Sequence, residues 1–259
     1  MNNKEFVAKL MDIATKQKTL YIMGCFGAPM NPANKIRYTQ NHSYNQQEAR
    51  KKMINSSTQN TFGFDCVGLI KSVLWGYNAD ESKAYGGAKY KSNNVPDINA
   101  DTMIKACQPT TNFSKIEVGE VVWVKGHIGV YVGQGKVVEC TPKWTNNVQI
   151  TNLGNRPEFK RDKYRVWSSH GKLPYILYES IEMTTPDTSK SPTEAEKPNT
   201  PTKNPSNTLR KHTVKKNDTL WGLATRYLYS GLRYTEIKKL NGLTSNTIYV
   251  GQVLEIPEI

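Results

Sequence analysis

No stretch of the 259 residues is long and apolar enough to cross a membrane as a helix. The opening Met1-Asn2-Asn3-Lys4-Glu5-Phe6-Val7 also lacks the continuous apolar run of a secretion signal. Cysteine is scarce. Cys25, Cys66, Cys107 and Cys140 form no CxxC pair and no disulfide framework, which points to a reducing compartment. His42, His127, His170 and His212 lie far apart with no ligand spacing among them, so neither a metal nor a cofactor is expected. Gly133-Gln134-Gly135 is too short for a phosphate loop and reads as a turn. Acidic residues are outnumbered, 22 against 35 basic ones, giving a net charge of +13. That balance favours polyanions, but no nucleic-acid motif accompanies it. The densest basic run, Arg50-Lys51-Lys52, reads as a solvated helix face.

Apolar residues nearly vanish between Thr184 and Thr208, where Pro186, Pro192, Pro198, Pro201 and Pro205 stand among Thr, Ser, Asn, Lys and Glu. Such a segment cannot bury a core and is expected to be an extended, solvated linker. The chain therefore divides into a first domain at 1–182, a linker at 183–210 and a small domain at 211–259. A hydrophobic content of 37% suits one sizeable core and a small one. Residues 183–259 hold 11 basic and 7 acidic residues, so +9 of the charge falls on the first domain.

The most informative run is Gly63-Phe64-Asp65-Cys66-Val67-Gly68-Leu69-Ile70. Cys66, Leu69, Ile70, Val73, Leu74 and Tyr77 recur at helical spacing, and Asp65 is a good N-cap, so a helix is predicted to start at Cys66. At that position the helix dipole and unpaired N–H groups are expected to favour thiolate. Alone, a cysteine on an apolar stripe is usually a small core residue. A base changes that reading. His127 opens the run Gly126-His127-Ile128-Gly129-Val130-Tyr131-Val132-Gly133, and Lys136-Val137-Val138-Glu139-Cys140 returns from it as a hairpin. A two-residue turn at Gln134-Gly135 would set Val130 opposite Glu139 and put His127 on the other face. A three-residue loop with Gly135 left-handed in a G1 bulge sets Gly129 opposite Glu139 instead. His127 and Glu139 then become diagonal neighbours about 7 Å apart. The second register is the one expected. It would place a thiol, a base and acid, and an orienting carboxylate together, with backbone N–H groups at the helix start for an oxyanion. Cys140 then faces the core, and His170, before a glycine, reads as a turn residue.

Phe64-Asp65-Cys66-Val67-Gly68-Leu69-Ile70, followed by Gly119-Glu120-Val121-Val122 and the His127 run, resembles the NlpC-type cell-wall peptidases, which are papain-like cysteine enzymes. The resemblance covers about residues 5 to 180. It implies an α+β fold with helices packed on an antiparallel sheet. It also implies cleavage of an amide in the peptide stems of peptidoglycan, between γ-D-glutamate and the following diamino acid. Cys66, His127 and Glu139 take the catalytic positions. Tyr21 matches the tyrosine beside the nucleophile, and Asp65 matches an aspartate that helps hold the stem. Val67 stands where many members have serine, and Glu139 where many have a second histidine.

The C-terminal run His212-Thr213-Val214-Lys215-Lys216-Asn217-Asp218-Thr219-Leu220-Trp221, a second helix at Tyr234 to Asn241, and Thr247-Ile248-Tyr249-Val250-Gly251-Gln252-Val253-Leu254-Glu255-Ile256-Pro257 resemble a LysM module. That module is a small βααβ fold binding N-acetylglucosamine-containing glycans. The residues agree, with Asp218 or Thr219 as N-cap and a β-branched closing strand. The resemblance puts a glycan groove between Asn217, Asp218 and Thr219 on one side and Asn246 to Ile248 on the other. Peptidoglycan is thus the expected partner, with anionic wall polymers a further one suited to the charge. A wall hydrolase without a signal suggests a phage endolysin, held in the host cytoplasm until released. An N-acetylmuramoyl-L-alanine amidase on the same site and a non-catalytic wall-binding protein are the alternatives.

Overall fold

The computed structural model describes residues 1–178, 210–215, 218–228 and 233–257. Most of the expected linker and Asn217 lie outside these residues. The chain divides into two compact units, 1–180 and 181–259.

The first unit opens with helix α1 (Asn3–Lys16). Asn2 and Glu5 form a reciprocal capping box at its start, and Phe6, Val7, Leu10, Met11 and Ile13 bury one face. Strands β1 (Lys18–Tyr21) and β2 (Phe26–Pro29) follow, then helices α2 (Pro32–Asn41), α3 (Ser43–Gln46) and α4 (Glu48–Ser56), and strand β3 (Thr61–Phe64). These strands form a three-stranded sheet in the order β1-β3-β2, parallel between β1 and β3 and antiparallel between β2 and β3. Arg50 is not on a solvated face. It is buried, and its guanidinium donates to the Tyr21 carbonyl and to Asn146.

Helix α5 (Cys66–Leu74) begins at Cys66 with Asp65 as N-cap, and all nine of its residues are buried. A helix buried on every side has to be surrounded, and its one charged residue, Lys71, is paired with Asp97. It packs against β2 and against strands β5 (His127–Gly133) and β6 (Lys136–Thr141), which come after helix α6 (Ala100–Ala106) and strand β4 (Val121–Val124). Its close approach depends on Gly68, where a Cβ would lie 2.1 Å from the Cys25 carbonyl oxygen. Strands β7 (Asn147–Leu153), β8 (Tyr164–Arg165) and β9 (Ser169–Gly171) complete a six-stranded sheet in the order β8-β7-β6-β5-β4-β9. All its pairings are antiparallel except β7 with β8. The unit is therefore α+β, with helices laid on a mainly antiparallel sheet.

The β5–β6 hairpin settles the register. Val130 pairs with Val138 and Tyr131 with Val137, which sets Gly129 opposite Glu139. The device differs from the expected three-residue loop. Gln134 and Gly135 both have positive φ, 51° and 68°, as a two-residue primed turn requires, and a register shift between Tyr131 and Gly133 supplies the extra residue. His170 also departs from its turn reading. It sits in β9, 1% exposed, with Nδ1 against Glu120 and Nε2 donating to the Asn112 carbonyl at 3.0 Å.

The second unit runs β10 (Arg210–Thr213), α7 (Leu220–Leu228), α8 (Tyr234–Leu240) and β11 (Val253–Ile256), a βααβ order with β10 and β11 antiparallel. Val214, Leu220, Leu223, Leu228, Ile237, Leu254 and Ile256 make its core. The Thr219 carbonyl accepts the first helical bond, from the Leu223 N–H, which makes Thr219 the N-cap by position. His212 ties the first strand to this start, bonding Tyr227 through Nδ1 at 2.9 Å and Asp218 through Nε2 at 2.7 Å.

Candidate active site

The hairpin register brings His127 Nε2 to 2.6 Å from Glu139 Oε2. With Nε2 committed, Nδ1 is the nitrogen left to exchange a proton. The ring is stacked on Trp167, with centroids 5.6 Å apart and planes at 14°, so its orientation is held from two directions. Its side chain is 15% exposed, whereas Glu139 is fully buried. Gly129 makes the pairing fit, because a Cβ there would meet Val137 Cγ1 at 2.8 Å and Glu139 Cβ at 3.2 Å.

A buried carboxylate needs every oxygen satisfied. Thr151 Oγ1 donates to Oε1 at 2.6 Å, and Arg165 donates to Oε2 through Nε at 3.1 Å and Nη2 at 2.9 Å. Burial alone would raise the Glu139 pKa. The His127 hydrogen bond and charge, then Arg165 and Thr151, outweigh it and hold the group below its ordinary range. It is therefore an anion at neutral pH. Thr151 could have been found from the sequence by carrying the register one strand further, since Gln149 pairs with Glu139 and Thr151 is two residues on along the same face. Arg165 could not. It lies on a two-residue strand whose parallel pairing with β7 has no local signature.

Cys66 sits at the first position of α5, 8% exposed. Its thiol contradicts the expected depressed pKa. Burial, with Asp65 adding, pushes it up to about 12 against the N–H groups of Ile128, Val67 and Cys66 itself. Desolvation outweighs the helix start here. The influence of the Ile128 N–H places the sulfur beside the backbone that carries His127. Tyr21 is buried in the same neighbourhood, and burial followed by the Cys66 charge drives its hydroxyl far above the ordinary range. Asp65 has both oxygens occupied by backbone, accepting from Gly68 N–H at 2.5 Å and Gly24 N–H at 2.9 Å. Its side chain fixes the helix start and the Gly24 turn. All four cysteines are free, and the Cys140 thiol donates to the Phe64 carbonyl at 3.2 Å. Among the described residues no group of three or more His, Cys, Asp and Glu could hold a metal ion.

In the second unit, Asp218 Oδ2 accepts from His212 and from the Lys215 N–H at 2.8 Å. Asn246 is exposed, and Ile248 packs partly buried against the small core. Tyr249 and Val250 beside it are each 71% exposed.

Fold and site together define a two-unit α+β protein with a cysteine, a histidine and a buried glutamate gathered where a helix meets a hairpin. Residues 212–257 match the family described as LysM domain. The chain is 49% identical over 47 residues to an autolysin of Enterococcus faecalis, 18% of this chain and 6% of that one. It is 37% identical over 78 residues to the probable endopeptidase p60 of Listeria monocytogenes, 30% of this chain and 15% of that one. It is 40% identical over 62 residues to the uncharacterized protein YpbE of Bacillus subtilis, 24% of this chain and 26% of that one. The chain thus spans about a quarter or less of the length of these relatives. Among solved structures it is similar to NlpC2 of Trichomonas vaginalis, at 16% identity and a TM-score of 0.36, covering 66% of this chain and 46% of that one. It is also similar to the peptidoglycan hydrolase RipB of Mycobacterium tuberculosis, at 14% identity and a TM-score of 0.34, covering 66% and 64%.

Proposed function

We propose that the protein is a peptidoglycan hydrolase, a cysteine endopeptidase that cuts the peptide stem between γ-D-glutamate and the following diamino acid and is held at the wall by its LysM region. The observation that carries this is the His127 to Glu139 hydrogen bond, 2.6 Å long, beside a cysteine at a helix start. The relatives named autolysin and probable endopeptidase p60, and the LysM match, agree with a wall substrate.

With the Cys66 pKa pushed up, the nucleophile rests as a neutral thiol. As sulfur attacks the scissile carbonyl carbon, the thiol proton passes to His127 Nδ1. The imidazolium so formed is stabilised by the Glu139 carboxylate through Nε2. The first N–H groups of α5 have no carbonyl partner within the helix and meet the oxyanion. The C–N bond then breaks, His127 returns its proton to the leaving amine, and water, deprotonated by His127, hydrolyses the thioester to free the acid and the thiol. In this scheme Tyr21 lines the nucleophile's side of the site. Asp218, Thr219, Asn246 and Ile248, with Asn217, belong to the glycan-binding end.

Amine-terminal analysis of fragments released from purified wall tests the bond. An endopeptidase exposes a new amine on the diamino acid. A new L-alanine amine would instead mark an amidase and overturn the assignment of the cut.

A further inference from the structure

Cys66 and its base come from different sheets. The nucleophile follows β3 of the three-stranded sheet, whereas His127 and Glu139 stand on β5 and β6 of the six-stranded one. Their spacing therefore depends on how the two sheets are joined, and one junction is built around Arg50. Tyr21 pairs with Phe64, two residues ahead of Cys66, and the Ile22 N–H donates to the Phe64 carbonyl at 2.8 Å. Tyr21 is also tied to the loop at 142–146, which joins β6 to β7. Its N–H donates to the Asn146 carbonyl at 3.0 Å, and its own carbonyl accepts from Arg50, which donates at the same time to Asn146 Oδ1 at 2.6 Å. Three residues thus close a ring of hydrogen bonds from one sheet to the other. Beside it Thr19 Oγ1 accepts from the Val148 N–H at 3.0 Å.

The junction is costly to hold. Arg50 is 6% exposed, yet the acceptors it meets are neutral, and its Nε is buried with no hydrogen-bond partner among the described residues. The faces of Tyr21 and Tyr44, with ring centres 5.7 and 5.1 Å from the guanidinium carbon, offset part of the lost hydration. A buried cation without a carboxylate still opposes folding. Asn146 adds to the cost, standing at φ 57° in the left-handed region that side chains disfavour. Such strain persists where the surrounding structure over-determines it, and it gathers near functional sites. We infer that Arg50 is a positioning residue for the reaction: by clamping Tyr21 to Asn146 it locks the sheet that leads into Cys66 to the sheet that carries His127, and so sets the gap the thiol proton crosses. This rests on the hydrolase reading above.

The full-length Arg50→Lys protein tests it, because lysine keeps the charge but loses the planar fork that reaches two acceptors at once. On a soluble stem peptide kcat should fall about tenfold while KM stays within about twofold, since spacing and not binding is disturbed. A second readout needs no hydrolysis. Iodoacetamide alkylation of Cys66 at pH 7 should slow about threefold in Arg50→Lys, and adding Arg50→Lys to His127→Ala should slow it no further, because the clamp acts on the approach of base to thiol. Asn146→Ala opens the same ring from the loop side and should repeat both results, which keeps the test alive if melting shows Arg50→Lys unfolded. Native-like kcat, a loss carried by KM, or equal slowing of alkylation with and without His127 overturns the proposal. So does unfolding of both variants, which would make the clamp a matter of stability alone. A native protein that cleaves neither peptide nor wall sinks the hydrolase reading instead, while the alkylation comparison still reports whether Arg50 couples Cys66 to His127.

Discussion

Replacing Glu139 with glutamine removes one charge and almost no volume from a fully buried position. An amide can satisfy Thr151 or Arg165 through its oxygen, but it has no negative charge with which to stabilise an imidazolium 2.6 Å away. A hydrogen bond to a charged group contributes about 1.5–3 kcal/mol. Each 1.36 kcal/mol is a factor of ten in rate. Glu139→Gln should therefore lower kcat about 10- to 150-fold, and because the imidazolium forms during the reaction and not on binding, KM should stay within about twofold. Leaving Arg165 without its carboxylate also lowers stability, so the comparison belongs well below the melting temperature of the variant. Thr151→Val is the control. It removes the donor to Oε1 without touching His127, and should keep kcat within about threefold of native. The assay is initial-rate hydrolysis of a soluble stem peptide, with melting curves on each protein. Native-like kcat in Glu139→Gln, or a loss carried by KM, refutes the orienting role.

Three other outcomes follow from the same geometry. Glu139 is held below the ordinary carboxylate range, so its pairing stabilises the fold above that range, and the contribution disappears as pH falls through the lowered value. Arg165→Ala raises that value and should move the acid-unfolding midpoint upward by circular dichroism; an unchanged or lower midpoint contradicts the assignment. Since burial pushes the Cys66 thiol up to about 12, iodoacetamide labelling of Cys66 in the resting protein should keep accelerating through pH 9. A plateau already reached below pH 7 would show a preformed thiolate. Gly68→Ala drives a Cβ to 2.1 Å from the Cys25 carbonyl oxygen, which is backbone and cannot rotate aside. It should cost about 1–3 kcal/mol or more and displace the start of α5, read as a lower Tm with lost activity. A native Tm would refute the close approach.

The elements bearing the chemistry were legible because they are local. Asp65 before an apolar stripe announces α5, and the alternation either side of Gln134-Gly135 announces the hairpin. The pairing that aligns His127 with Glu139 could be reached by choosing between two turns. The register expected is the one present, although a primed turn with a bulge produces it. What was not legible depends on distant partners. Arg165 meets Glu139 across a parallel pairing with no hairpin to set it, and Arg50 looks like a solvated cation until the Tyr21 carbonyl and Asn146 are folded over it. His170, next to a glycine, reads as a turn residue because Glu120 is fifty positions away. The thiol pKa departs from the sequence expectation for a different reason. The sequence shows the helix start that lowers it, and only the packed structure shows the burial that raises it.

The most direct measurement is mass spectrometry of the soluble products released from purified peptidoglycan by the native protein and, in parallel, by Cys66→Ala. Fragments from the native protein alone, each ending in γ-linked glutamate with a new amine on the diamino acid, are the predicted result. Fragments released equally by Cys66→Ala, or none from either protein while both still bind the wall, would contradict a cysteine hydrolase built on Cys66, His127 and Glu139.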